Sequence, residues 1–440
     1  MTRFWGVGLT TGITRRNMAA YYAACFVALA AFTFIAAAQS ALLDLLGVSE
    51  DKKGSVSGHI GVAAELILIA TVGVYGSLSD RIGRRFVFTL GFVIVAVGLL
   101  LAPFAGSTLE LAAFRVIFAF GAAAVAAMIS TVLSDFARNE DRGKGAGLLG
   151  VMNGVGAVLT VFFLVRLPSM FESAGLGEVA ATRGAYAVVA TMCLVMAAWL
   201  RVALPPAATG QRETTPPLRE LLREGVMAGR DPGIALAYAA SFTSRGNLAI
   251  VGTFFTLWLQ QYGEEVRGLS TTEALAKAGI VIGVAQSVAL CTAPVIGWLT
   301  DRLTRVDALL ICCGISAVGY SSTLLVSDPL GAGMYAAAVL IGIGEVGGVI
   351  ASTVLIGQQA QPAVRGSVVG AFSAFGAIGI LTALEVGGLL FDSWRPAAPF
   401  ALFGAFSAAV LVFGLVIRKR VIIPDQVDEL PAGGIQAVPV

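Results

Sequence analysis

Long apolar blocks, each close to the ~20 residues that an α-helix needs to cross a bilayer, fill most of this 440-residue sequence. A water-soluble protein carries roughly 25% charged residues, whereas here 13% are charged and 57% are hydrophobic. Such a chain has too little polar surface to cover a soluble particle, so we predict an all-α integral membrane protein. The twelve predicted spans are residues 18–46, 57–79, 86–106, 109–135, 144–166, 183–204, 234–261, 275–299, 306–326, 332–356, 366–390 and 394–417.

One long polar connection divides these spans six and six. It begins with Pro205–Pro206 and later places leucines at helical spacing among arginines and glutamates, which predicts a short amphipathic helix at the membrane surface. The tail is rich in Pro, Gly and acidic residues, and we expect it to be disordered. The predicted regions are an N-terminus at 1–17, a six-helix bundle at 18–204, the linker at 205–233, a second six-helix bundle at 234–417 and the tail at 418–440.

The distribution of lysine and arginine predicts the orientation. Twenty of the 29 basic residues fall in connections on the side of the two termini, and seven fall on the opposite side. Cytoplasmic loops carry the excess of positive charge in membrane proteins. Both termini are therefore expected in the cytoplasm, and the compact loops and alanine-rich composition suggest a bacterial inner (plasma) membrane.

A short motif occurs at equivalent places in the two halves. The segment GSLSDRIGRR at 76–85 follows the second predicted span, and GWLTDRLTR at 297–305 follows the eighth. Five residues of the first copy recur in the second at an offset of 221 residues: Gly76, Leu78, Asp80, Arg81 and Arg84. Two six-helix halves that repeat in parallel are typical of secondary transporters.

At these residues the chain resembles the major facilitator superfamily, whose signature between helices two and three is Gly-x-Leu-x-Asp-Arg-x-Gly-Arg-Arg/Lys. Residues 76–85 match every fixed position. The resemblance covers residues 18–417 and implies two pseudo-symmetric six-helix bundles that transport by alternating access. It also implies a charge cluster that latches the cytoplasmic side when the transporter opens outward. The residues matching this latch are Gly76, Asp80, Arg81, Arg84, Asp135, Asp301 and Arg305.

The latch has an alternative, which is that its charges only cap helices and set the topology. Its second copy is expected to be weaker, because Gln358 stands where Asp135 would repeat. Helix five lacks the Gly-Pro-x-x-Gly pattern found in many antiporters of the family, which modestly disfavours a drug/proton exporter. Glycines spaced by four residues predict helix packing, at Gly143/Gly147, Gly150/Gly154 and Gly366/Gly370.

Ionisable side chains within the spans point to the transport site. A charge at mid-membrane costs at least ~2.5–3.5 kcal/mol on insertion scales, so each needs a partner or a watery cavity. Arg245 and Glu345 lie near the middle of helices seven and ten, which line the central cavity in the family. We interpret Arg245, with Ser241 and Asn247, as binding an anionic substrate group and Glu345 as exchanging a proton. The alternative is a static Arg245–Glu345 pair that braces the second half.

Glu65 in helix two and Arg115 in helix four are two further charges in the spans. Glu65 is matched by Gln286 in the second half. Glu65 is either a second proton site or a structural partner of Arg115, and we favour the structural pair. Asn153 in helix five either lines the cavity as part of the substrate site or bonds a neighbouring helix.

The two halves differ at their centres, and this difference suggests the kind of substrate. The positions matching Arg245 and Glu345 in the first half are Ala23 and Ala122, and nearby apolar bulk comes from Phe32, Phe34, Phe118 and Phe120. A cavity that is ionic on one wall and apolar on the other favours a small organic anion with an apolar body. Coupling to a proton is expected, with sodium as the alternative ion. A proton-driven exporter of amphipathic compounds or drugs is the second reading, and a transporter-like sensor or scaffold is the third.

Other functional classes lack the residues they need. One histidine, His59, near the outer membrane boundary cannot supply the constellation of a membrane enzyme, and no Walker A loop is present. The five cysteines have no metal-binding spacing, so we expect neither a metal nor another cofactor. The basic residues form no nucleic-acid footprint. The expected partners are a small-molecule substrate, the coupling ion and the lipid bilayer, and the chain is expected to be a monomer.

Overall fold

The computed structural model describes residues 2–138, 141–205, 218–360 and 364–421. A two-stranded hairpin, β1 (Arg3–Phe4) and β2 (Val7–Gly8), precedes a series of long helices. These helices, α1 to α12, follow the order of the predicted spans. Their bounds are α1 Arg15–Leu45, α2 Glu50–Ile82, α3 Arg84–Phe104, α4 Thr108–Phe136, α5 Arg142–Ser173, α6 Glu178–Ala203, α7 Pro232–Ile250 continued by Val251–Phe255 and Thr256–Glu265, α8 Thr271–Arg302, α9 Arg305–Leu325, α10 Ala332–Gln359, α11 Arg365–Ser393 and α12 Ala398–Arg420.

Within the described residues, eleven helices are long and apolar enough to cross a membrane. The helix not counted among them is α7, which is continuous helix but carries Arg245, Asn247 and several serines and threonines. These polar residues lower its mean hydropathy. The predicted all-α membrane fold is confirmed, and the predicted count of twelve spans is close to the eleven found.

The linker contains a helix at Leu218–Ala228, while residues 206–217 lie outside the described part of the chain, as do residues 422–440 of the tail. This helix contacts the ends of α7 and α11. The Tyr238 hydroxyl donates to the Gly225 carbonyl over 2.7 Å, and the Ser367 hydroxyl donates to a Glu224 carboxylate oxygen over 3.1 Å. The linker helix therefore packs against the second bundle.

The N-terminal hairpin docks on the connection that follows α4. The Arg138 N–H donates to the Gly8 carbonyl over 3.0 Å, and the Gly8 N–H donates to the Asp141 carboxylate over 2.9 Å. The neighbouring Lys144 ammonium, together with the Gly8 N–H, holds the pKa of the Asp141 carboxyl below its usual range. The side chain of Val7 is buried beneath the hairpin. This arrangement ties the start of the chain to the first bundle.

The twelve helices alternate in direction, so the start of α1 and the end of α12 lie on the same face of the protein. We call the face that carries Arg15, Ile82 and Arg302 the terminal face, and the face that carries Leu45 and Glu50 the far face. The predicted orientation makes the terminal face cytoplasmic. These two names are used for all contacts between the halves.

On the far face, α2 and α11 are in close contact. A Cβ atom built on Gly58 would lie 2.2 Å from the Leu384 carbonyl oxygen, and one built on Gly388 would lie 2.6 Å from the Gly54 carbonyl oxygen. The Asp392 carboxylate also accepts hydrogen bonds from the backbone N–H groups at the start of α2, over 2.8 Å from Gly54 and 2.6 Å from Ser55. Glycine is needed at these positions because the helix backbones touch.

A polar network closes the same face between α1, α2 and α7. Lys53 is buried and forms ion pairs with Asp44 and Glu50. The Gln260 side-chain amide donates to Asp44 and accepts from the Ser40 hydroxyl. Because Gln260 belongs to the second half and the other residues to the first, this network joins the two halves. Removing one member of a buried ion pair costs about 3–5 kcal/mol.

Toward the terminal face, α2 has two glycines with open space beside them. Cβ atoms built on Gly73 and Gly76 would have no neighbour within 4 Å among the described residues. Of the glycines predicted to pack in GxxxG pairs, Gly154 contacts Leu290, and the others have open space among the described residues: Gly143, Gly147, Gly150, Gly366 and Gly370. The close helix approach predicted at these five glycines is therefore absent in the described part of the chain, because the halves meet on the far face and stand apart at these positions.

We predict that Gly58→Ala destabilises the protein, whereas Gly73→Ala in the same helix does not. The new methyl at residue 58 collides with the α11 backbone, which costs about 1–3 kcal/mol for an overpacked site, while residue 73 has free space. Thermal unfolding of the purified protein measures both. Equal melting temperatures for the two variants would show that α2 and α11 do not touch at Gly58.

Candidate functional site

Two adjoining cavities lie between the bundles. The first has a volume of about 320 Å³ and is bounded by α1, α2, α4, α7 and α11. The second has a volume of about 270 Å³ and is bounded by α1, α5, α7, α8 and α10. They share the residues Phe32, Ala36, Leu248 and Gly252. Helices one, four, seven and ten therefore all contribute to the central cavity, as the family resemblance implies.

The first cavity brings together three of the charges singled out in the sequence. Glu65, Arg115 and Arg245 all line it. Arg245 is exposed, Glu65 is half-buried, and their opposite charges attract each other. The remaining wall is largely apolar and includes Phe32 and Phe118. Two of the four phenylalanines expected to supply apolar bulk therefore do face the cavity.

The position of Arg245 depends on a glycine in α11. A Cβ atom built on Gly376 would lie 2.8 Å from Arg245 Cγ and 2.9 Å from Ser241 Oγ. The Ser241 hydroxyl donates to the Phe372 carbonyl over 2.8 Å, so it bonds to α11 as well. Asn247 is buried, and its side-chain oxygen has no partner among the described residues. The close contact with α11 orients this part of α7.

Arg115 enters the first cavity from α4. Its guanidinium carbon lies 5.4 Å from the centre of the Phe118 ring. Its Nε and Nη1 atoms are buried and have no hydrogen-bond partner in the described part of the chain. Arg115 and Glu65 line the same cavity, but the described ion pairs do not join them. Their pairing stays a prediction.

Glu345 belongs to the second cavity. The Gln286 side-chain amide donates to Glu345 Oε1 over 3.4 Å, and Glu345 Oε2 is buried without a partner among the described residues. Arg245 and Glu345 line different cavities, and the charge that attracts Arg245 is that of Glu65. Asn153 lines neither cavity, and its side-chain oxygen is buried without a partner in the described chain.

Two π-helical turns border these cavities, at Thr160–Leu164 in α5 and Val251–Phe255 in α7. Val161, Val251 and Gly252 from these turns line the cavity walls. Single π turns inside α-helices occur frequently at functional sites. Sequence reasoning missed them because one wider turn barely disturbs the periodicity of a uniformly apolar helix.

The latch residues of the first half form a compact cluster at the terminal face. Arg84 forms an ion pair with Asp80, and its Nε donates to Asp135 over 3.0 Å. Its Nη1 donates to the Ser79 hydroxyl over 2.6 Å. The turn between α2 and α3 is the single residue Gly83 with φ of +97°, a conformation that glycine adopts without steric cost. Arg81 is exposed and lies outside these contacts.

The second copy of the motif is looser. Arg305 lies 3.6 Å from Asp301, whose side chain is 80% exposed, and donates to the Thr300 carbonyl over 2.7 Å. The position matching Gly83 is Thr304, which has ordinary extended backbone and caps α9 by accepting from the Asp307 N–H. Among the described residues, the second copy thus has fewer charged contacts than the first, and the latch role of both copies stays a prediction.

We predict that Arg84→Gln lowers the free energy of unfolding by about 1.5–3 kcal/mol, the range for hydrogen bonds to charged groups. The matched variant Arg305→Gln should lose less, because its partner is almost fully exposed. Thermal or denaturant unfolding in one detergent compares the two. An equal or larger loss for Arg305→Gln would contradict the difference between the two copies.

Comparisons with known proteins agree with this architecture. The family model described as "Major Facilitator Superfamily" matches residues 20–384 and 289–433. Magnetosome protein MamH of Paramagnetospirillum magneticum is 28% identical over 88% of this chain and 89% of its own length. Magnetosome protein MamZ of the same species is 29% identical over 85% of this chain, which spans 58% of that longer protein.

A gentisate transporter of Corynebacterium glutamicum is 25% identical over 89% of this chain and 85% of its own length. Among solved structures, the nucleoside transporter NupG superimposes with a TM-score of 0.73 over 91% of this chain and 99% of its own, at 15% identity. At that identity the likeness concerns the fold alone. Together with the family model, these findings show that the chain belongs to the major facilitator superfamily and is a membrane transporter, not an enzyme.

Proposed function

We propose that this protein transports a small organic anion with an apolar body by alternating access, coupled to a proton. The observation that carries the proposal is the first cavity, where Arg245 lies exposed among apolar walls. A buried or cavity-facing arginine stays charged and presents a planar set of donors that matches a carboxylate. Phenylalanine and leucine side chains around it suit an apolar ligand body.

Binding would proceed by exchange of partners at Arg245. Glu65 attracts Arg245 in the described conformation, so an incoming carboxylate competes with Glu65 for the guanidinium. Asn247 is buried and lines neither cavity, so its contact with the ligand stays a prediction. The relative named as a gentisate transporter supports this substrate class, since gentisate is a carboxylate on an aromatic ring.

Proton coupling is assigned to Glu345 in the second cavity. Its buried carboxyl has one oxygen bonded to Gln286 and one without a partner. Burial makes its charged form costly, so a proton would be held or released as the surroundings change. The second cavity shares Leu248 and Gly252 with the first, which gives substrate and proton sites a common wall. Sodium is the alternative coupling ion.

The described conformation would be the one open to the cytoplasm. Gln260 joins the two halves on the far face, whereas Gly73 and Gly76 toward the terminal face have open space beside them among the described residues. The excess of basic residues places the terminal face inside, in a bacterial inner membrane. In the opposite conformation the Arg84 cluster would face the second bundle and hold the cytoplasmic side closed.

We predict that aromatic monocarboxylates such as benzoate and gentisate raise the melting temperature of the purified protein and that Arg245→Gln abolishes the shift. A ligand at 100 times its Kd stabilises the native state by about 2.7 kcal/mol. The control is Arg166→Gln, because Arg166 is exposed at the end of α5 and lines neither cavity. Stabilisation by cations alone, or full retention of the carboxylate effect in Arg245→Gln, would favour export of amphipathic compounds.

We predict that Glu345→Gln uncouples transport from the proton gradient. In proteoliposomes, the variant should exchange labelled substrate across the membrane at equal concentrations but should not accumulate it when a proton gradient is imposed. The control Glu385→Gln alters an exposed carboxyl of α11 that pairs with His59 and should still accumulate substrate. If Glu345→Gln still accumulates substrate in a proton gradient, Glu345 is not the proton-coupling residue. If the wild type accumulates substrate only in a sodium gradient, sodium and not the proton is the coupling ion.

A further inference from the structure

Arg115 is a charged group of the first cavity that lacks hydrogen-bond acceptors among the described residues. Its Nε and Nη1 are buried and have no acceptor among the described residues. The side chain cannot escape the cost by deprotonation, since arginine stays protonated in proteins. The Phe118 ring below it, 5.4 Å away, attracts the charge but accepts no conventional hydrogen bond. Buried charged donors without acceptors are costly.

The neighbouring groups do not supply the missing acceptor. Glu65 is the one carboxylate among the described residues that line the first cavity, and its attraction is to Arg245. The Tyr186 hydroxyl interacts electrostatically with Arg115 but is itself buried without a hydrogen-bond partner among the described residues. The described lining of the first cavity thus holds two guanidinium groups and one carboxyl group, so positive charge is in excess.

The two arginines come from different halves of the protein. Arg115 lies on α4 of the first bundle and Arg245 on α7 of the second, and the surface between them includes Phe32, Phe118 and Leu248. The cavity volume of about 320 Å³ lies at the lower end of the range for small-molecule sites, ~300–1,000 Å³. A ligand that reaches both arginines needs an acceptor at each end and an apolar spacer.

We propose that Arg115 is a second anion-binding residue and that the substrate is a dicarboxylate, held by Arg115 at one end and Arg245 at the other. This inference rests on the proposed transport of organic anions and narrows it. The guanidinium of Arg115 lines the cavity and would donate to one of the two carboxylates. Because each bundle contributes one arginine, the bound dianion links the two halves.

The test compares terephthalate, a rigid aromatic dicarboxylate, with benzoate, which lacks the second carboxylate. Kd values are measured by thermal shift and by isothermal titration on the full chain in detergent, for the wild type and the variants Arg115→Gln, Arg115→Lys, Arg245→Gln and Arg166→Gln. The wild type should bind terephthalate at least tenfold more tightly than benzoate. Arg115→Gln should bind both alike, with the benzoate Kd unchanged, and Arg166→Gln should behave as the wild type.

Each result separates the two proposals. If Arg115→Gln keeps the tenfold preference, or if the wild type has none, the second site is overturned while carboxylate binding at Arg245 stands. If Arg245→Gln leaves both Kd values unchanged, the proposed function fails. Should Arg115→Gln not fold, Arg115→Lys keeps the charge but loses the planar fork, and it should lose most of the preference; retention of the full preference would overturn the inference.

A double-mutant cycle addresses the structural alternative. If Arg115 and Glu65 form a static pair, the losses of stability in Arg115→Gln and Glu65→Gln will be non-additive, because each removes the same interaction. If Arg115 binds the substrate instead, the two losses add without ligand present. Strong coupling in the absence of ligand would therefore contradict the proposal.

Discussion

The central constraint on this fold is the presence of charged side chains among helices that must remain in hydrocarbon. Arginine stays charged, so Arg115 and Arg245 require water, a carboxylate or a ligand within reach. The protein meets this need by leaving a space between its halves and lining it with α1, α4, α7 and α10. The same requirement makes α7 too polar to count among the eleven clearly apolar spans.

The cavity can exist because the helices that enclose it approach each other closely elsewhere. Gly54, Gly58 and Gly388 allow α2 and α11 to touch at the far face, and Gly376 leaves room for the Arg245 side chain within the second bundle. Because α2 and α11 pack closely on the far face, the two halves can stand apart toward the terminal face. The alternating access that we propose would exchange one set of tight contacts for another, around cavities that stay between the bundles.

Much of this was accessible from the sequence. The lengths of the apolar blocks predicted the helices, the repeated motif predicted the family, and the Asp80, Arg84 and Asp135 side chains do meet. The sequence was a poorer guide to which acidic residue lies near which arginine. The sequence predicted a similar depth in the membrane for Arg245 and Glu345, but successive residues of a helix are ~100° apart. The structure places Arg245 on the wall of the same cavity as Glu65, and Glu345 on the wall of the other cavity. The N-terminal hairpin and the π turns also had no recognisable signal, because they depend on contacts between distant segments.

The Lys53 network has a further consequence for the kinetics of opening. The Lys53 side chain is 3% exposed and that of its partner Asp44 is 13% exposed, so dissolved ions have little access to this pair. The same Asp44 carboxylate accepts the hydrogen bond from Gln260 that joins the two halves. Salt screens exposed ion pairs strongly and buried pairs much less. In the proposed cycle, the rate at which the far face opens should therefore depend little on ionic strength.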